Sequence, residues 1–200
     1  MREFYSAGTT PQQKIVAVNQ KFGNSGIQSQ QGTSRIIYDH IKVDAAGQNR
    51  FRFFEDSSAR TFPFTNTGSD GNKLGVGDTM VIQSVLFALW SLDSASGRWQ
   101  LVNAISGNVA NSLDLFSIEI ANNKVVKKLT LGEGNAYFSK DTDNNNGVVD
   151  LQTQIVIPPL LNYVVELETA AIVLPPALTD WYVECQIIGT GGIIAPRTTF

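Results

Sequence analysis

Residues 155–168 read IVIPPLLNYVVELE, and residues 172–188 read IVLPPALTDWYVECQII. Each stretch is a short apolar run, a Pro-Pro pair, a few loop residues and a second run that alternates. Proline has no N–H to give to a ladder, so Pro158-Pro159 and Pro175-Pro176 should each end a strand and turn a stiff corner. In the second runs Tyr163, Val165 and Leu167 share one face, and Val183, Cys185 and Ile187 lie opposite Tyr182, Glu184 and Gln186. Two strand–corner–strand units in succession predict a β-sandwich or barrel whose strands cross at its ends.

The chain before these units carries the same signals. Residues 36–43, IIYDHIKV, read as the first strand of the body. In RFRFFED at 50–56, Phe51 and Phe53 alternate with Arg50 and Arg52, the pattern of a half-buried strand with Phe in and Arg out. Residues 65–78 are rich in Asn, Gly, Ser and Asp and read as an exposed loop. Residues 80–92, MVIQSVLFALWSL, are nearly all apolar and fit a central strand buried on both faces or a short helix, with residues 98–105 running back beside them. Residues 113–121 and 124–131 flank Asn122-Asn123 as a hairpin, with a break of phase at Phe116-Ser117 that suits a bulge. No stretch has the pattern of an amphipathic helix of normal length. The expected fold is all-β: an antiparallel β-sandwich of jelly-roll type with about eight strands over residues 36–200, preceded by an extended polar N-terminal arm over residues 1–35.

Composition narrows the function classes. The chain has 200 residues, of which 42% are hydrophobic, enough for a real core, and only 16% are charged. The net charge of −3 lacks the basic field that nucleic acid or an anionic membrane surface selects, so neither is an expected partner. Cys185 is the one cysteine and His40 the one histidine, which excludes an intrachain disulfide and a zinc site built from several Cys and His. Cys185, on an alternating strand, reads as a small buried apolar residue. The first residues carry no apolar core of a secretory signal, and residues 80–92 are too short to span a bilayer as a helix. Residues 1–35 are biased to Gln, Ser, Gly and Asn around one apolar patch at 15–18. That composition suits a tail, or an arm that folds on a neighbouring subunit by adding a strand to its sheet.

The candidate chemistry is sparse. Asp39 and His40 adjoin, but neighbours on a strand point to opposite faces and make a poor dyad. Arg50 and Arg52 between phenylalanines could stack single-stranded nucleic acid, yet Glu55 and Asp56 cancel their charge. Asp141, Asp143, Asn145 and Asp150 have the spacing of a calcium loop. Asn146 stands where its turn glycine belongs and Gln152 where a bidentate Glu does, so a plain Asx-rich turn is the stronger reading. Lys127 and Lys128 read as solvated strand ends, and GTGG at 189–192, without a strand–helix context, as flexibility or a close backbone approach. Glu119, Glu133, Glu166 and Glu168 offer carboxylates for glycoside hydrolysis with nothing to select a pair. No catalytic residue, cofactor or metal is therefore assigned, and an enzyme is not expected.

Two non-catalytic classes remain. A carbohydrate-binding jelly roll would use Trp90, Trp99, Trp181 and Tyr182, with Trp181-Tyr182 as a possible platform and the acidic loop as a structural calcium site. A structural subunit of a symmetric assembly would need no chemistry at all. Through FRFFED, TFPFTN, NKLGVGDTMVIQ and the Pro-Pro strand pairs, residues 36–200 resemble small structural proteins of bacterial viruses. The resemblance is in particular to jelly-roll head proteins of crAss-like tailed phages. It implies a non-enzymatic auxiliary or decoration subunit, made in the host cytoplasm and carried in the virion. Such a subunit binds other capsid proteins and copies of itself. A single-jelly-roll major capsid protein is the close variant.

Overall fold

The computed structural model describes residues 10, 13–14, 17, 30–43, 48–67, 71–104, 115–130, 148–169 and 179–194. Nine strands run through them: β1 (Gln30–Lys42), β2 (Arg50–Phe53), β3 (Asp78–Asp93), β4 (Arg98–Ala104), β5 (Leu115–Ile120), β6 (Asn123–Thr130), β7 (Val148–Ile157), β8 (Tyr163–Glu168) and β9 (Thr179–Ile194). One sheet has the order β1-β9-β3-β4, with β7 also on β3, and the other has the order β2-β8-β5-β6. Every named pairing is antiparallel.

With β4 set aside, the order is that of a jelly roll. The first strand pairs with the last (β1–β9), the second with the seventh (β2–β8), the third with the sixth (β3–β7) and the fourth with the fifth (β5–β6). The β9–β3 and β8–β5 ladders complete two four-stranded sheets. The ninth strand has a simple origin. β3 is 16 residues long, β7 occupies its outer edge from Met80 to Leu86, and β4 folds back to occupy the rest from Ala88 to Asp93.

The first Pro-Pro corner acts as its chemistry dictates. β7 ends at Ile157, Pro158-Pro159 turn the chain, and β8 begins at Tyr163 in the opposite sheet. The second corner, Pro175-Pro176, lies outside the described residues. Residues 80–92 form a strand, with Met80, Val81 and Ile82 fully buried. The hairpin turns on Ala121-Asn122, both at positive φ (50° and 63°), one residue before the expected pair. The ladder shifts register between Phe116 and Ile118, where the phase of the sequence breaks. β1 begins at Gln30, so residues 30–35 belong to the sheet and not to the arm. Their backbone pairs with Gly189–Ile194 at the end of β9, and a main-chain ladder makes no demand on polar side chains there.

The core lies between the sheets. Phe51 and Phe53 of β2 point inward while Arg50 and Arg52 point out. Phe87 of β3 sits between Phe53 and Phe116, with ring centroids 6.0 and 5.8 Å away, so aromatic contacts tie one sheet to the other. Val183, Cys185 and Ile187 are fully buried against them.

Residues 54–77 join β2 to β3, and the loop reading of 65–78 needs correction. Thr65 and Leu74 are buried, at 2% exposed each. Thr65 bridges Asp39 of β1, and the Asn66 side chain accepts from the Tyr38 N–H and donates to the Ile36 carbonyl. This strap occupies β1's outer edge, which would otherwise present unpaired backbone groups.

Candidate functional site

Asp39 and His40 do point to opposite faces, and both hold the strap. Asp39 is fully buried. Its carboxylate accepts from the Phe54 N–H (2.7 Å) and from Nε and Nη2 of Arg60 (2.9 and 2.6 Å). His40 lies on the outer face of the sheet. There Nδ1 donates to the Phe64 carbonyl oxygen at 3.0 Å, and Nε2 faces Glu184 Oε1 at 3.7 Å.

Glu184 is the partner that sequence spacing did not mark. It sits directly across from His40 in the β1–β9 register and is 3% exposed. Its carboxylate accepts from Trp90 Nε1 (2.6 Å) and from the Gln186 amide (2.8 Å). Around the pair lies an aromatic cluster, with Trp99 5.1 Å from both His40 and Tyr182 and Phe64 5.3 Å from Tyr182. The rings are tilted or edge-on to one another, as packed aromatics are, rather than coplanar as in a sugar platform. Trp181 and Tyr182 face opposite ways, with Trp181 against the core and Tyr182 in the outer cluster. They form no joint platform.

Burial pulls the His40 imidazolium below its usual 6.5, outweighing the upward pull of Glu184, the Phe64 carbonyl and Asp39. The sign for stability follows. The unfolded chain binds the proton at higher pH than the folded one, so the neutral ring stabilises the fold above 6.5, and this contribution fades as pH falls below it. The wild-type melting temperature should drop from pH 7 to pH 5, and His40→Gln should flatten that slope. An equally steep slope in the variant would reject the assignment. Glu166 acts in a lower window. Burial pushes it up, but the Arg50 hydrogen bond and charge, with Lys124 and Arg52, pull it below 4.5 on balance. Its contribution is present above 4.5 and lost at more acid pH.

The outer face of the second sheet carries that ion pairing. Arg50 Nη2 donates to both Glu166 oxygens at 2.8 Å, and Arg52 reaches Glu166 and Glu55 at 3.5 and 2.8 Å. The two arginines are thus engaged by carboxylates. Lys128 pairs with Glu168 at 3.1 Å, so two of the carboxylates considered for hydrolysis, Glu166 and Glu168, are salt-bridged to neighbours. Asp150, on β7, accepts from the Ser84 hydroxyl. Asp141, Asp143, Asn145 and Glu133 lie outside the described residues. The Cys185 thiol is fully buried, and burial raises its pKa well above the usual value, which makes it a poor nucleophile.

Where the first Pro-Pro corner meets the β5–β6 turn and the strap, there is a cleft of about 340 Å³. Arg52, Glu55, Asn72, Lys73, Glu119, Asn122, Asn162 and Val164 line it. Backbone bonds sew the three segments together: Tyr163 N–H to the Asn72 carbonyl (3.0 Å) and Ala121 N–H to the Asn162 carbonyl (2.8 Å). No sequence motif marks this cleft, because its residues come from four separate places in the chain.

No protein-family model, no curated protein and no solved structure matches this chain. Its class is therefore set by the strand order: an antiparallel jelly-roll β-sandwich.

Proposed function

We propose that the chain is a non-enzymatic structural subunit of a virus particle, a head auxiliary or decoration protein that binds the capsid shell and stabilises it. The observation that carries this reading is the strand order, β1-β9-β3-β7 against β2-β8-β5-β6, the arrangement that viral capsid domains share with lectins and cupins. The low charge of the chain, its polar N-terminal segment and its resemblance to phage head proteins favour the virion among those uses. Its partners on this reading are other capsid proteins and further copies of itself. The arm binds across a subunit interface.

The start of β1 defines the test. Removing residues 1–35 would cut six ladder positions of β1, from Gln30 to Arg35, whereas removing residues 1–29 leaves β1 whole. The shorter deletion should melt as cooperatively as the full chain and lose most of its binding to purified phage heads in co-sedimentation. Truncated protein that binds heads as well as the full chain would sink the role of the arm. Full-length protein that is monomeric by light scattering and has no affinity for particles would sink the capsid reading itself.

A further inference from the structure

We propose that the cleft at the Pro158-Pro159 corner is a binding site for a short neutral glycan. This goes beyond the capsid reading and stands without it.

Charge comes first. Arg52 and Lys73 are balanced by Glu55 and Glu119, so the cleft is formally neutral and gives a strongly charged ligand no net attraction. Arg52 and Glu55 are moreover tied to each other at 2.8 Å. What remains to meet a ligand is three amides, with Lys73 and Glu119 beside them as one charge of each sign. Asn72, Asn122 and Asn162 all line the cleft, and none of their side chains makes a hydrogen bond to another described residue. Each amide presents one acceptor oxygen beside two N–H donors, which matches the paired hydroxyls of a sugar ring. Val164, near the start of β8, is the apolar residue of the lining and is itself largely buried.

Position comes second. The amides stand on backbone that is already fixed. The Asn72 and Asn162 carbonyls are held by the Tyr163 and Ala121 N–H groups, and Lys73 bridges Asn162. A site on bonded backbone loses little entropy when a ligand docks, which matters for a sugar whose hydroxyls must exchange bonds to water for bonds to the protein. A volume of about 340 Å³ falls within the ~300–1,000 Å³ range of small-ligand clefts.

The test uses the full-length chain and saturation-transfer NMR with a panel of neutral trisaccharides at millimolar concentration. A sialylated trisaccharide and a heparin-derived fragment serve as charged probes. At least one neutral sugar should receive saturation and shift side-chain amide signals in nitrogen-correlated spectra. Asn122→Gly should weaken that sugar at least tenfold. Asn122 already sits at φ 63°, so glycine fits its backbone and the variant should fold. Asn162→Ala, which keeps the backbone carbonyl, gives a second measurement. The proposal is overturned if no neutral sugar binds, if binding is unchanged in both variants, or if only the charged probes bind with strong salt dependence.

Discussion

Gly189→Ala should strongly destabilise this fold through a single added methyl group. A Cβ on Gly189 would overlap the carbonyl oxygen of Val81 and lie 2.9 Å from its carbonyl carbon and 3.2 Å from Ile82 Cα. All three atoms are backbone, so no side chain can turn aside. The site is also central. Gly189 pairs with Ile82 where β3 shifts register, in the β3–β9 ladder that runs from Asp78 to Asp93 through the middle of its sheet. Making room means parting the two longest strands. The loss should lie at or above the top of the ~1–3 kcal/mol that overpacking usually costs. Urea denaturation followed by circular dichroism measures it. Gly75→Ala is the control, because its nearest neighbour would be Asp78 Oδ2 at 3.8 Å. It should change stability by less than ~1 kcal/mol, in the stabilising direction if only unfolded-state entropy is reduced. Equal melting of the two variants would refute the close approach at Gly189.

The same glycine shows what a sequence can disclose. GTGG at 189–192 reads as flexibility or close backbone approach, and at Gly189 the second is its use. Features encoded within a few residues were legible in this way. They include the stop at Pro158-Pro159, the alternation of Tyr163, Val165 and Leu167, the Phe-in, Arg-out pattern of β2, and the bulge after Phe116. The strap was not legible. Its composition is that of a loop, and it is ordered by Asp39, Tyr38 and Ile36, which precede it in the chain on another strand. The His40–Glu184 pair was hidden for a related reason. Both residues were visible on alternating strands, but only the β1–β9 register sets them opposite each other, and no local pattern fixes a register between the first strand and the last. The described residues hold nine strands where about eight were expected, and the additional one is β4, which pairs with a part of β3 that extends past β7.

The Asp39-His40 neighbours, which invite a catalytic reading, instead fasten the strap from both faces of β1, and the stronger fastening is Asp39. Asp39→Ala should cost about 3 kcal/mol, the low end of the ~3–5 kcal/mol for breaking a buried ion pair. The low end applies because Arg60 is 26% exposed and can regain water once released, whereas the carboxylate is fully buried. The Phe54 N–H cannot recover as Arg60 does. It would be left without its 2.7 Å acceptor beneath a buried ring, a loss of ~1–3 kcal/mol by itself. Asp39→Asn, which keeps the shape and one acceptor, should cost less than the alanine variant. The damage should also be local before it is global. Hydrogen exchange should quicken first at the His40 and Asn66 amides, which bond the Phe64 and Tyr38 carbonyls across the β1 edge. The β3–β9 ladder amides should hold until general unfolding. Tryptophan emission should move with the strap amides, since Phe64 lies 5.5 Å from Trp99. An Asp39→Ala protein within ~1 kcal/mol of wild type, with its strap amides still protected, would show that some other contact holds the loop to the edge of β1.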